Sequence, residues 1–326
     1  MSKIKICDRT LSCMDGYAPT KAQLVELITL LFHCDADVLE LTPKMLSTLG
    51  ELPPFGSYVL RIEDPAEADK YPMIDQFVCR RFSDEARHVY AEISLNDVGD
   101  TNLLLRHQHD KMLRIAGLDD LLRSDVERSL EMLKGFLPKN TEFRPGNSLH
   151  CGVALAVEWL DGKCGNTIVT SFRGLDGGAP FEEVLIALRH LFRRHPQTDY
   201  ESLPQISEII CEITGMKTDT NKPVIGEGIF TVESGIHIGG ILKHPKCYEL
   251  YPPESVGRKR TFVYGKYSGR GSIRHKLMEM GIDTPEKELE EITQCVKALA
   301  AQMNRPITED ELLKISGKAK RGGGQS

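Results

Sequence analysis

Lys3-Ile4-Lys5-Ile6-Cys7-Asp8-Arg9-Thr10-Leu11 and, further on, Asp37-Val38-Leu39-Glu40-Leu41-Thr42-Pro43 frame the segment that decides the fold. Lys3 to Cys7 alternates polar and apolar side chains, as a half-buried strand does. Thr20 then stands three residues before Gln23 as a capping box, and Leu24, Leu27, Ile28 and Leu31 recur at helical spacing through His33. Asp37 to Leu41 is a second short strand, closed by Thr42-Pro43. Strand, helix, strand is a βαβ beginning, and its helical crossover makes the strands parallel.

Outward from this unit the alternation continues. Ser57 to Ile62 and Gln76 to Cys79 are candidate strands, and Val89 to Leu95 is a better one. Val126 to Phe136 reads as a helix, Thr141 to Leu149 as extended, Val153 to Leu160 as a helix and Thr167 to Phe172 as a clear strand. Gly174, Gly177 and Gly178 turn into a helix that has Pro180 near its start and Glu182 and Glu183 in its first turn. Arg193, Arg194 and His195 close it before Pro196, so both ends suit the macrodipole. After Asp199 the pattern changes. Leu203 to Thr214 is helical, residues 221–240 are loop-like and glycine-rich, and two short helices end the chain, one capped at Thr284-Pro285 and one by a Thr308…Glu311 box. The Lys318 to Gly324 tail is expected to be disordered.

Composition excludes several classes. The 326 residues carry 41 basic and 47 acidic side chains, a net charge of −6, without the clustered basic surface that nucleic acid requires. There is no apolar run of about 18 residues and therefore no membrane-spanning helix. The first residues carry charges and no cleavage-site pattern, so a cytoplasmic location is expected. The nine cysteines are scattered without a C-x-x-C pair, which suits neither a disulfide framework nor a zinc ribbon.

Between Phe172 and Gly271 lie Val224-Ile225-Gly226-Glu227, Phe230 to His237, Leu242-Lys243, Tyr248-Glu249, Val256 to Lys259 and Gly265 to Arg270. In this order they resemble the C-terminal half of the homocitrate/2-isopropylmalate synthase family, with the short homocitrate synthases of nitrogen fixation as the nearest pattern. The resemblance implies a TIM-type (β/α) barrel followed by a small helical region. It also implies condensation of acetyl-CoA with a 2-oxo acid such as 2-oxoglutarate, helped by a divalent metal, Mg²⁺ or Mn²⁺. The expected division is a shortened barrel over 1–200, a helical lid and dimerisation region over 201–316 and the tail over 317–326.

Carried over residue by residue, the resemblance assigns Asp8 to the metal. It puts Glu40 and Thr42 at the substrate-side end of the second strand, and Glu233 and His237 in the segment that assists acid–base chemistry across a dimer interface. The departures are as informative. Ser12 stands where the family has a substrate-orienting Arg, and the expected His-x-His pair, placed between Arg144 and His150, retains only His150 as a candidate ligand. The loop Asp176-Gly177-Gly178-Ala179 lacks the family's Asn ligand, and its glycines are read either as a phosphate cradle or as a plain turn. His107-Gln108-His109 is a literal His-x-His outside the expected strand, and is read as two exposed histidines beside Asp110.

Two functions are therefore open: a divergent acyltransferase acting on acetyl-CoA, or a non-catalytic subunit. The partners implied are small-molecule substrates and a homodimer or a heterodimer with a homologous synthase, with neither nucleic acid nor membrane. Length sharpens the question. At about 25–31 residues for each βα unit, the stretch from Asp8 to Thr167 holds five or six units where seven belong. One or two units are expected to be missing or reduced, chiefly between Leu95 and Thr141.

Overall fold

The computed structural model describes residues 3–80, 88–123 and 125–322. They divide into two units, 1–218 with 223–225, and 219–222 with 226–326.

The first unit is a closed barrel of eight strands in sequence order. These are β1 (Lys5–Asp8), β2 (Val38–Leu41), β3 (Ser57–Arg61), β4 (Phe77–Cys79), β5 (Val89–Leu95), β6 (Leu113–Gly117), β7 (Thr141–Pro145) and β8 (Thr167–Thr170). Every ladder is parallel, and β1 closes the ring by pairing Cys7 with Val38 of β2 and with Val169 of β8. The helices of this unit are α1 (Thr10–Cys13), α2 (Lys21–His33), α3 (Pro43–Leu49), α4 (Thr101–His107), α5 (Val126–Lys134), α6 (Gly152–Asp161), α7 (Phe181–Leu191) and α8 (Leu203–Thr214). The Thr20 box caps α2, whose Leu24, Leu27, Ile28 and Leu31 are buried. Trp159 of α6 is fully buried and stacks on Phe143 of β7 with ring centroids 4.4 Å apart.

No strand is missing, so the barrel is shortened without being incomplete. The saving also falls elsewhere than expected. Between Leu95 and Thr141 the chain has room for α4, β6 and α5, whereas β3 to β4 starts run only from 57 to 77 and β4 to β5 starts from 77 to 89. Among the described residues, a 3-10 turn at Pro65–Lys70 is the helical element in that sector. A parallel barrel needs its strands for closure, but a crossover can shrink to a loop, so length alone miscounts units.

The first unit ends later than the expected boundary at 200, because α8 packs on α2, with Gln205 donating to Glu26 at 2.7 Å. The second unit contains the parallel pair β9 (Thr231–Val232) and β10 (Thr261–Phe262), then α9 (Gly235–Lys243), α10 (Arg270–Glu279), α11 (Glu286–Met303) and α12 (Glu309–Gly322). Ile238, Tyr264, Ile273, Leu277, Leu289, Ile292, Val296 and Leu312 form its core. The tail expected to be disordered is helical through Gly322, and residues 323–326 lie outside the described residues. No described helix is long and apolar enough to cross a membrane.

Candidate functional site at the barrel mouth

Inside the barrel, Cys7, Val59, Val78, Tyr90 and Val169 cluster with Val38 and Met112. Side chains on one face of a strand recur every second residue, so the next inward layer, toward the C-terminal ends, falls two positions on. There the sequence reads Arg9, Glu40, Arg61, Arg80, Glu92, Arg114 and Ser171. The layer is ionic.

Arg114, fully buried, is its centre. It donates to Glu142 at 2.8 Å, to the Tyr90 hydroxyl at 3.0 Å and to Glu40. Arg61 donates to Glu40 at 2.7 Å and to Glu92 at 2.5 Å, and Arg80 lies 3.5 Å from Glu92. Burial works against ionisation of Glu40, but Arg114, Arg61 and Arg9 outweigh it and hold its carboxyl well below the usual range. In Glu92 the same contest, with Arg114 and Arg61 prevailing over burial, ends at about 2.

A second cluster joins the ends of β1, β7 and β8. The Asp176 carboxylate accepts Arg9 at 2.9 Å, Arg144 at 2.5 Å, the Ser171 hydroxyl at 2.6 Å and the Gly178 N–H at 3.1 Å. Gly177 has φ +74°, so this loop is a turn folded around Asp176, with the Gly178 N–H already engaged.

The residues singled out from the sequence separate into three places. Asp8 is fully buried, and its oxygens accept the Thr10 N–H at 2.9 Å and the Thr170 hydroxyl at 3.2 Å. Burial pushes its carboxyl up to about 7, despite those two bonds. Glu40 is the one candidate inside the ionic layer, where it also accepts the Ser12 hydroxyl at 2.8 Å. Thr42 caps α3 through Met45 and donates to Asp15 at 2.5 Å, a local structural task. His150 sits exposed in the loop after β7 with φ 56°, and β7 itself presents Arg144 to Asp176. Among the described residues, no three His, Cys, Asp or Glu side chains gather to hold a metal ion.

Glu233 and His237 belong to the second unit. Glu233 Oε1 accepts the Tyr267 N–H at 3.5 Å and lies where a Cβ on Gly265 would come within 2.4 Å. His237, exposed at the start of α9, faces the Tyr248 ring at 5.8 Å. Of His107 and His109, only the second is exposed; His107 is buried against Asp110 at 2.8 Å.

Residues 224–304 match the homocitrate synthase post-HMGL domain-like family. Homocitrate synthase AksA of Methanopyrus kandleri is 35% identical over 51% of this chain and 44% of its own length. The homocitrate synthase omega subunit of Clostridium pasteurianum is 25% identical over 88% of this chain and 87% of its own. The chain is thus similar to homocitrate and isopropylmalate synthases.

The chain spans less than half the length of the Methanopyrus protein it matches. Its fold is shared more widely. The N-terminal domain of a putative aldolase from Bacteroides vulgatus superposes with a TM-score of 0.51 at 13% identity, over 66% of this chain and 90% of that one. Arg9, Arg61, Arg114, Arg144 and Asp176 were missed as a set by sequence reasoning. For Arg9, Arg61 and Arg114 the signal was present as a charged residue two positions after an apolar one in successive buried strands.

Proposed function

We propose that this synthase relative works as a subunit beside a complete synthase of its family, lending the Glu233 to His237 segment, and does not run the condensation in its own barrel. The observation that carries this is the barrel mouth. Four guanidinium groups, of Arg9, Arg61, Arg114 and Arg144, are matched there by the carboxylates of Glu40, Glu92, Glu142 and Asp176. Charges that satisfy one another in this way leave the mouth without the open oxygen and imidazole donors that a divalent ion needs. Asp8 spends both oxygens on Thr10 and Thr170, and His150 is exposed in its loop, so the donor set does not fit Mg²⁺ or Mn²⁺. The second unit, by contrast, keeps a folded core and matches its family over 224–304. The Clostridium relative that aligns along most of both chains is itself named a subunit.

The test is co-expression of the tagged chain with a complete homocitrate synthase homologue, followed by capture and a thiol-release assay with acetyl-CoA and a panel of 2-oxo acids. The expected result is a heteromer, with no thiol release by the chain alone. Turnover by the pure chain would establish the stand-alone acyltransferase instead.

A further inference from the structure

We propose that the Arg9–Asp176–Arg144 clamp is a built-in replacement for a divalent cation at the barrel mouth. A metal ion at such a place supplies two positive charges and ties separate strand ends together. The clamp does both with side chains. Arg9 directly follows β1, Arg144 lies on β7 and Asp176 follows β8. The two guanidinium groups carry the same formal charge as a divalent ion, and both reach one oxygen, Asp176 Oδ2, at 2.9 Å and 2.5 Å.

The other oxygen is equally engaged. Asp176 Oδ1 accepts the Ser171 hydroxyl at 2.6 Å and the Gly178 N–H at 3.1 Å, while Arg144 Nη2 donates to the Asp176 carbonyl at 2.8 Å. The Arg9 and Asp176 side chains are only 8% and 10% exposed, so the pair is largely withdrawn from solvent. Guanidinium stays protonated throughout the accessible pH range, so this charge, unlike a bound ion, never exchanges with solution. The clamp belongs to the chain alone and does not depend on the subunit role proposed above.

The experiment compares the full chain with Arg144→His, a change that removes one guanidinium and supplies an imidazole on the same strand. Melting is followed in EDTA and in millimolar Mn²⁺, and free Mn²⁺ is counted by electron paramagnetic resonance. The wild-type chain is expected to hold less than about 0.1 equivalent of Mn²⁺ and to shift by less than about 1 °C. Arg144→His is expected to melt several degrees lower in EDTA and to recover about half of the loss in Mn²⁺. Binding of one equivalent by the wild-type chain would overturn the replacement, and so would a variant indifferent to Mn²⁺. Should Arg144→His not fold, the wild-type Mn²⁺ count still decides, and Arg9→Gln gives the matching variant. Neither result bears on whether a partner synthase is captured.

Discussion

Arg114 Nη1 donates to Glu40 Oε2 in the barrel interior, and neither side chain has any exposure. An ion pair so placed is defined less by its net strength than by the consequence of breaking it. Arg114→Met leaves Glu40, Glu92 and Glu142 without their shared cation and is expected to lose about 3–5 kcal/mol of stability. Urea unfolding followed by the fluorescence of Trp159, the single tryptophan, measures it. Arg123→Met, which removes an exposed pair with Asp120, serves as control and is expected to change stability by less than about 1 kcal/mol. Equal effects of the two variants would refute a closed ionic interior.

The acid limb of stability is expected to be set by the same carboxylates. The Glu92 carboxyl is held at about 2, below the ordinary 4.5, by Arg114 and Arg61 against the opposing effect of burial. Its stabilisation is fully present above about pH 4.5 and is lost as pH falls through about 2, for a total of about 3 kcal/mol. Unfolding free energy measured between pH 2 and pH 5 should climb accordingly.

Asp8 has the opposite sign. Burial lifts its carboxyl from 3.8 to about 7, so the folded chain holds a proton that the unfolded chain releases. Stability should fall as pH rises from about 4 to about 7, by at most about 4 kcal/mol. Asp8→Asn keeps the acceptor for the Thr10 N–H and offers its amide to the Thr170 hydroxyl. It is expected to remove that decline and to exceed the wild-type chain in stability at pH 8 while matching it below about pH 4. A variant less stable than wild type at pH 8 would contradict this.

Gly117 closes β6 with φ +105°, and a Cβ there would lie 2.4 Å from the Leu95 carbonyl oxygen. Both the left-handed backbone and the close approach exclude a side chain. Gly117→Ala should therefore cost about 3 kcal/mol, read by the same urea unfolding.

Ile236 is 83% exposed in α9, in a unit that also exposes Tyr267 and Leu250. Ile236→Glu touches no core residue and should leave the melting curve within about 0.5 kcal/mol of wild type. Capture of a complete synthase should weaken at least about tenfold. Unchanged capture would place the partner contact elsewhere.

Much of the barrel was legible from local chemistry. The Thr20 box marks the start of α2, Thr308 and Glu311 mark that of α12, and the apolar run from Leu203 to Thr214 coincides with α8. The short β4 was read as a candidate over Gln76 to Cys79, whereas β6 went unread, its Leu113 to Ala116 all buried without alternation. The helix Arg270–Glu279 went unread because only Ser272, Ile273 and Leu277 of it are buried, too thin a stripe to stand out. The site was harder still. Glu40 was found, but Arg61 and Arg114 were not singled out, because only closure of the barrel places them opposite it. Asp8 and Thr42 were located correctly as strand-end residues, yet their bonds to Thr170 and Asp15 span gaps no local pattern encodes.

The balanced interior also constrains the history of the chain. Once Arg114, Arg61, Glu40 and Glu92 neutralise one another, changing any one of them strands a charge in a dry interior. Opening the barrel mouth would then require several coordinated substitutions, each destabilising alone. The lattice therefore acts as a lock in which each of the four side chains holds the other three in place.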